Sequence, residues 1–145
     1  MIELTMGQLT FLSSERVARL ATVDVGGGAH VVPVCFAYHE GVVYTPIDEK
    51  PKRAAPEALQ RVRNLLRHPE VCLLVDRYAE DWTELAWLQV RGTASLVEDA
   101  AERAQALGAL RARYPQYRAM DLESRPLVRI TPTRAVSWSA TPPHR

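Results

Sequence analysis

The chain has 145 residues, 47% of them hydrophobic and 24% charged. That composition suits a globular protein with a core of its own and excludes a disordered or collagen-like chain. The 18 Lys and Arg nearly cancel the 17 Asp and Glu, so there is no global positive field of the kind that non-specific nucleic-acid binding needs, and any anion site must be local. No stretch approaches the roughly 18 uninterrupted apolar residues that span a bilayer, and residues 1–10 lack the basic-then-apolar pattern of a signal peptide. The expectation is a cytoplasmic protein with one domain over residues 1–145 and neither membrane nor nucleic acid as a partner.

Leu9, Phe11 and Leu12, followed by Ser13, Ser14, Glu15 and Arg16, point to a short leading helix. From Val17 the pattern becomes alternating and β-branched, predicting a first strand over residues 17–24. Gly26, Gly27 and Gly28 supply a tight reversal into a second β run over residues 30–38, so the two pair as a hairpin. Gly41 turns the chain again into a third strand over residues 42–45. Residues 46–56 contain three prolines and mixed charge, which suits an exposed or ligand-facing loop.

Pro56 and Glu57 fit a helix start, and Leu59, Val62, Leu65 and Leu66 recur at helical spacing up to His68-Pro69, predicting a helix over residues 56–67 with Leu59, Val62 and Leu66 as a core stripe. A short strand over residues 71–75, a polar segment over 76–84 and a long strand over 86–97 follow, with Gly92 marking a bulge or bend. Residues 99–114 read as a second long helix, with Ala101, Ala104, Leu107 and Leu110 or Arg111 at helical spacing and Pro115 stopping it. A last strand covers residues 127–138. So many antiparallel strands lose their edges most simply in a closed or split barrel, so the fold class is mostly β with flanking helices.

Chemistry concentrates in residues 44–53, Tyr-Thr-Pro-Ile-Asp-Glu-Lys-Pro-Lys-Arg, which end a strand with hydroxyl and carboxylate side chains and three cations. Arg61, Arg63 and Arg67 follow on the helix, and both lysines of the chain lie in the loop. Clustered Lys and Arg make charge-assisted bonds to phosphate or carboxylate, while Thr45 and loop amides add directional donors. The alternative for this stretch is a solvated basic surface. Cys35 and Cys72 sit in apolar runs without metal or redox spacing and read as buried free thiols. His30, His39, His68 and His144 form no ligand pattern. Trp82, Trp87 and Trp138 suit either a core or a cofactor face. Trp82 is favoured for a site because Asp81-Trp82 lies in a polar loop, and Tyr78 is a weaker candidate there.

Across nearly its whole length the chain resembles the split-barrel flavin-binding superfamily typified by pyridoxamine 5'-phosphate oxidase, and within it the branch that uses the deazaflavin coenzyme F420. The resemblance rests on Arg16-Val-Ala-Arg-Leu-Ala-Thr-Val-Asp24, His30-Val-Val-Pro-Val-Cys-Phe-Ala37, residues 44–53, Arg61-Val-Arg-Asn-Leu65 before His68-Pro-Glu-Val71, and Asp81-Trp82. It implies an FMN-binding-like split antiparallel β-barrel and a homodimer with the cofactor in a groove between subunits. Arg61 would hold the cofactor phosphate, at a position where Lys is common. The ring would lie near Val32, Pro33, Val34, Tyr44, Thr45, Pro46 and Ile47, with Asp48 in the same loop and Trp82 near the site. Lys50, Lys52 and Arg53 would reach the phosphate or the glutamate tail of a deazaflavin, and three cations beyond the anchor favour coenzyme F420 over FMN.

The implied activity is hydride transfer to a small unsaturated or conjugated substrate. No catalytic acid, base or nucleophile stands out, as suits chemistry carried by a cofactor. The alternatives are a non-catalytic carrier of deazaflavin, FMN or haem, and an FMN-dependent oxidase of a vitamin B6 phosphate. The last is disfavoured because residues 127–145 show no recognisable substrate segment.

Overall fold

In the computed structural model, which describes residues 1–48 and 56–141, strands β1 (Ala18–Val23), β2 (Ala29–Val34), β3 (Ala37–His39), β4 (Val42–Pro46), β5 (Glu70–Arg77), β6 (Ala86–Leu96) and β7 (Leu127–Ser139) build one sheet. Its order is β2-β1-β5-β6-β7-β4-β3, and every neighbouring pair is antiparallel. Helices α1 (Met6–Ser14), α2 (Pro56–Arg67) and α3 (Ala100–Arg113) pack on it. The architecture is mostly β, a curled split barrel, as the patterning predicts. No described helix is long and apolar enough to cross a membrane.

The leading helix begins earlier than its apolar residues suggest, because Thr5 and Gln8 form a reciprocal capping box. That pairing satisfies two otherwise orphaned amides. The first hairpin turns on Asp24, whose Oδ1 accepts from the Gly26 amide at 3.0 Å and the Gly28 amide at 2.7 Å, while Gly27 takes φ +84°. The second β run is two strands rather than one: β2 pairs with β1, then the chain crosses at Cys35 and Phe36 to the opposite sheet edge, where β3 pairs with β4. Tyr114 holds this crossing. Its Oη accepts from the Phe36 amide at 3.1 Å and lies 2.8 Å from the Arg16 carbonyl.

Gly92 is the predicted bulge. The β6–β7 register shifts between Arg91 and Gly92, and a Cβ there would stand 2.6 Å from the Thr131 carbonyl oxygen. Only glycine permits so close an approach of two backbones.

Two cores share the sheet. Leu20, Phe36, Val43, Leu73, Val90 and Ile130 fill the barrel interior with Leu12 of α1 and Leu65 of α2. The other lies under α3, where Ala106, Leu107 and Leu110 meet Ala37, Val42, Tyr44, Tyr117 and Leu127. Strand β4 runs between them and is buried at all five positions: Val43 belongs to the barrel core, while Val42 and Tyr44 belong to the α3 core.

Both helical stripes differ from expectation. On α2 the buried residues are Arg61, Asn64 and Leu65, whereas Leu66 is 61% exposed and Val62 half-buried; the side chain of Leu59 lies outside the described residues. Asn64 donates to Thr22 Oγ1 at 3.0 Å with both residues buried, so a polar pair holds the face where a leucine stripe was expected. On α3 Ala101 and Ala104 are exposed and Ala106 takes their place in the core.

Candidate functional site

Where β4 ends, a polar cluster forms between the barrel and the α3 layer. Arg61 is 8% exposed, and its Nε has no hydrogen-bond partner. Burial lowers its pKa, while the charges of Asp48 and Tyr117 act the other way. Thr45, 1% exposed and three residues before Asp48, has an Oγ1 that is likewise buried without a partner. Buried donors and acceptors are almost always paired, so the orphaned guanidinium nitrogen on α2 and the orphaned hydroxyl on β4 are each suited to an oxygen-rich anion.

Asp48 accepts a 2.9 Å hydrogen bond from Tyr117 Oη. Tyr117 lies on the 3-10 helix Pro115–Ala119 that follows α3. Burial, and after it the neighbouring Cys35 and Asp48, raise the pKa of its phenol. Beside the pair opens a cavity of about 570 Å3 lined by Arg16, Val17, Cys35, Asp48, Tyr114, Pro115, Gln116, Tyr117 and Met120. Its size falls in the range of small-molecule sites.

The expected ring-binding residues are divided by the strands that carry them. Pro33 points outward from β2, while Val32 and Val34 point into the barrel core. Tyr44 faces α3, where its Oη donates to Glu102 Oε2 at 2.6 Å and Arg129 Nε donates to the same oxygen at 2.8 Å. Burial and the Glu102 carboxylate push the Tyr44 phenol up to about 12. Pro46 and Ile47 are buried, and the Ile47 amide donates to the Pro126 carbonyl at 3.1 Å.

Apart from Pro33, these side chains are taken up in the packing, and the exposed edge of β2 is backbone. It is a terminal strand of the sheet, and such an edge carries N–H and C=O groups without a strand partner. Lys50, Lys52 and Arg53 lie outside the described residues.

Trp82 begins the 3-10 helix Trp82–Glu84, is 67% exposed, and has the Tyr78 hydroxyl 3.5 Å from its Nε1. No hydrogen bond joins it to Arg61 or Asp48 among the described residues. Trp87 and Trp138 are direct cross-strand partners on the outer face of β6 and β7, with Val136 opposite Gln89 beside them. Neither tryptophan is core: they are 36% and 47% exposed. Cys35 and Cys72 are free but half-buried rather than buried, Cys35 at the cavity. Among the described residues no group of three or more His, Cys, Asp or Glu is placed to hold a metal ion.

Sequence reasoning missed Tyr117 and Cys35 as neighbours of the anion cluster. Tyr117 lies 56 positions after Arg61 in a segment without periodicity, so only its hydrogen bond to Asp48 reveals it. Asn64 stands inside the motif that places Arg61, and its lack of any apolar rationale on a helix was the available signal.

A family model described as pyridoxamine 5'-phosphate oxidase matches residues 6–139. No curated protein matches the sequence. Among solved structures, the conserved hypothetical protein Rv2991 of Mycobacterium tuberculosis is similar with a TM-score of 0.76 and 24% identity, over 99% of this chain and 92% of that one. HutZ, a haem storage protein of Vibrio cholerae, gives 0.68 and 19% identity over 95% of both chains. An FAD-binding protein of Mesorhizobium loti gives 0.66 and 21% identity, over 92% of this chain and 94% of the other. At these identities the likeness shows the shared fold.

Proposed function

The chain belongs to the pyridoxamine 5'-phosphate oxidase family, and from that premise we propose that it is an oxidoreductase that binds coenzyme F420 and passes hydride to a small unsaturated or conjugated substrate. The observation that carries the reading is the buried guanidinium of Arg61 with its unpartnered Nε, backed by the unpartnered hydroxyl of Thr45. A phosphate monoester supplies the several acceptor oxygens these donors lack, and Arg binds such groups as a rigid fork.

In this reading the bound deazaflavin supplies the redox chemistry. Arg61 and Thr45 fix its phosphate, and the open edge of β2 gives hydrogen bonds that orient the polar rim of the ring. Lys50, Lys52 and Arg53 are proposed to meet the glutamate tail, which FMN does not carry. The cavity beside Cys35, Asp48 and Tyr117 gives a small substrate room next to the anion cluster.

The protein works as a homodimer. The outer sheet face exposes Val31 at 62%, Trp87 at 36%, Val136 at 38% and Trp138 at 47%, an apolar surface that a second copy would cover. Covering it would also exclude water from a cofactor lying along β2.

Absorption titrations of the purified protein with coenzyme F420, FMN and haem, followed by turnover of reduced F420 against a panel of unsaturated substrates, test the proposal. The expected result is tightest binding of F420 and oxidation of its reduced form only when a substrate is present. Preference for FMN would move the assignment to a flavin enzyme. Tight binding of any of the three without turnover across the panel would make the protein a carrier. The haem and flavin proteins that share its fold make that the reading to be excluded.

A further inference from the structure

Helix α2 carries Arg61, yet little apolar packing decides which way the helix faces. Of its described side chains only Leu65 enters either core, while Leu66 is 61% exposed and Val62 half-buried. A surface helix ordinarily takes its rotation from a wide apolar stripe. One buried leucine sets the depth of the helix on the sheet but fixes its rotation only weakly.

Hydrogen bonds supply what the stripe lacks. Asn64 is 1% exposed, and its Nδ2 donates at 3.0 Å to Oγ1 of Thr22, which is 2% exposed on β1. Its Oδ1 accepts at 2.7 Å from Nε2 of Gln60, one turn earlier, and Oε1 of Gln60 accepts in turn from Arg63 at 3.2 Å. Both ends of the Asn64 amide are engaged, so the group is held in one orientation. Arg61 stands three residues before Asn64 on the same helical face, and it too is buried. Whatever fixes the rotation of Asn64 therefore fixes that of Arg61.

We propose that Asn64 is a positioning residue of the anion site: its bond to Thr22 sets the rotation of α2 that turns Arg61 inward with its Nε open to the ligand's phosphate. The proposal rests on the assignment of Arg61 as the phosphate anchor. Asn64 acts through Arg61 and not on the ligand, because its own amide is already engaged by Thr22 and Gln60. A polar pair stands where apolar side chains would pack as well, since a hydrogen bond fixes an angle as well as a distance.

The test is a double-mutant cycle read by titration calorimetry, with F420 and FMN as probes and heat denaturation as the control for folding. Thr22→Val removes the acceptor at nearly constant volume and should weaken both probes about five- to tenfold, less than deletion of the guanidinium in Arg61→Ala. Thr22→Ser keeps the acceptor and should bind as wild type does. Gln60→Ala, at a half-buried position, frees one end of the Asn64 amide and should weaken both probes about two- to threefold. In an Arg61→Ala background Thr22→Val should cause no further loss, because the pair acts only through the guanidinium.

A role in stability alone would lower the melting temperature and leave the affinity of the folded protein as it was. An unchanged Kd in Thr22→Val, or in Gln60→Ala should Thr22→Val not fold, therefore overturns the proposal. So does a loss from Thr22→Val that is as large without Arg61 as with it, and so does Thr22→Ser as weak as Thr22→Val. Arg61→Ala separates the failures. If it binds both probes as wild type does, or wild type binds neither, the anchor falls and the proposal with it. If it weakens both while Thr22→Val does not, only the role of Asn64 falls.

Discussion

Replacing Arg61 by Ala separates binding from folding in one measurement. The lost interaction is a hydrogen bond from a charged donor to the ligand, worth about 1.5–3 kcal/mol. At about 1.4 kcal/mol per decade this is roughly a 10- to 150-fold rise in Kd for F420 or FMN.

The effect on stability is smaller because two contributions oppose. The guanidinium is 8% exposed with an unpartnered Nε, and burial disfavours its charged form, so deleting it relieves a desolvation cost. The aliphatic stem loses packing against the sheet. We expect a net change within about 1 kcal/mol, or about 4 °C in Tm for a chain of this size. Isothermal titration against F420 and FMN, with scanning calorimetry of the unliganded protein, gives both numbers. Arg61→Lys keeps the charge and loses the fork, and should fall between. A Kd unchanged in Arg61→Ala with an intact melt would refute the reasoning. A drop in stability beyond about 3 kcal/mol would show that the guanidinium holds the fold instead.

Three further outcomes follow from contacts elsewhere. Gly92→Val places a Cβ about where the Thr131 carbonyl and the Ile130 Cγ2 already stand, at 2.6 and 2.7 Å; urea denaturation should show a loss of about 3 kcal/mol, the upper end for overpacking because backbone cannot step aside. The Glu102 carboxyl is held below its ordinary value of 4.5, first by the hydrogen bond from Tyr44 and then by that from Arg129. A depressed folded-state value means that its contribution is complete above about pH 4.5 and is lost as the pH falls through the lower folded value. The gap in urea midpoint between wild type and Glu102→Gln should therefore be constant above pH 4.5 and narrow below it; a gap that stays constant into acid would contradict the assignment. Trp138→Glu puts a charge opposite Trp87 on the outer sheet face, and sedimentation velocity at micromolar concentration should show a dimer for wild type and a monomer for the variant. A dimeric variant would move the interface away from this face.

Strand and helix positions were legible where periodicity or punctuation was strong. Pro56 and His68-Pro69 bracket α2, Gly41 turns β3 into β4, and Gly92 marks the bulge. The long apolar run at 30–38 hid a change of partner, because a strand that switches sheet edges keeps the same residue types on both sides of the switch. The face of α2 was misread for a related reason. Apolar periodicity identifies the buried stripe only when the stripe is apolar, and here Arg61 and Asn64 occupy it while Leu66 faces solvent. That exception coincides with the proposed site, where a buried cation is kept for binding at a cost to stability. The Tyr117–Asp48 bond joins segments 69 residues apart, and nothing local in sequence encodes it.

Strand β4 is packed on both faces, by the barrel on one side and by α3 on the other, and its last residue leads through Ile47 into Asp48. The end of β4 thus has no compliant side. A cavity opened under α3, at Leu107 or Leu110, would let Tyr44 settle and shift the strand's end, and the disturbance would arrive at Thr45 and Asp48 without any change in the groups that meet the ligand. If Arg61 and Thr45 hold the ligand as proposed, the helical layer would clamp the end of β4, and substitutions on the hidden side of α3 would belong to the same functional unit as Arg61.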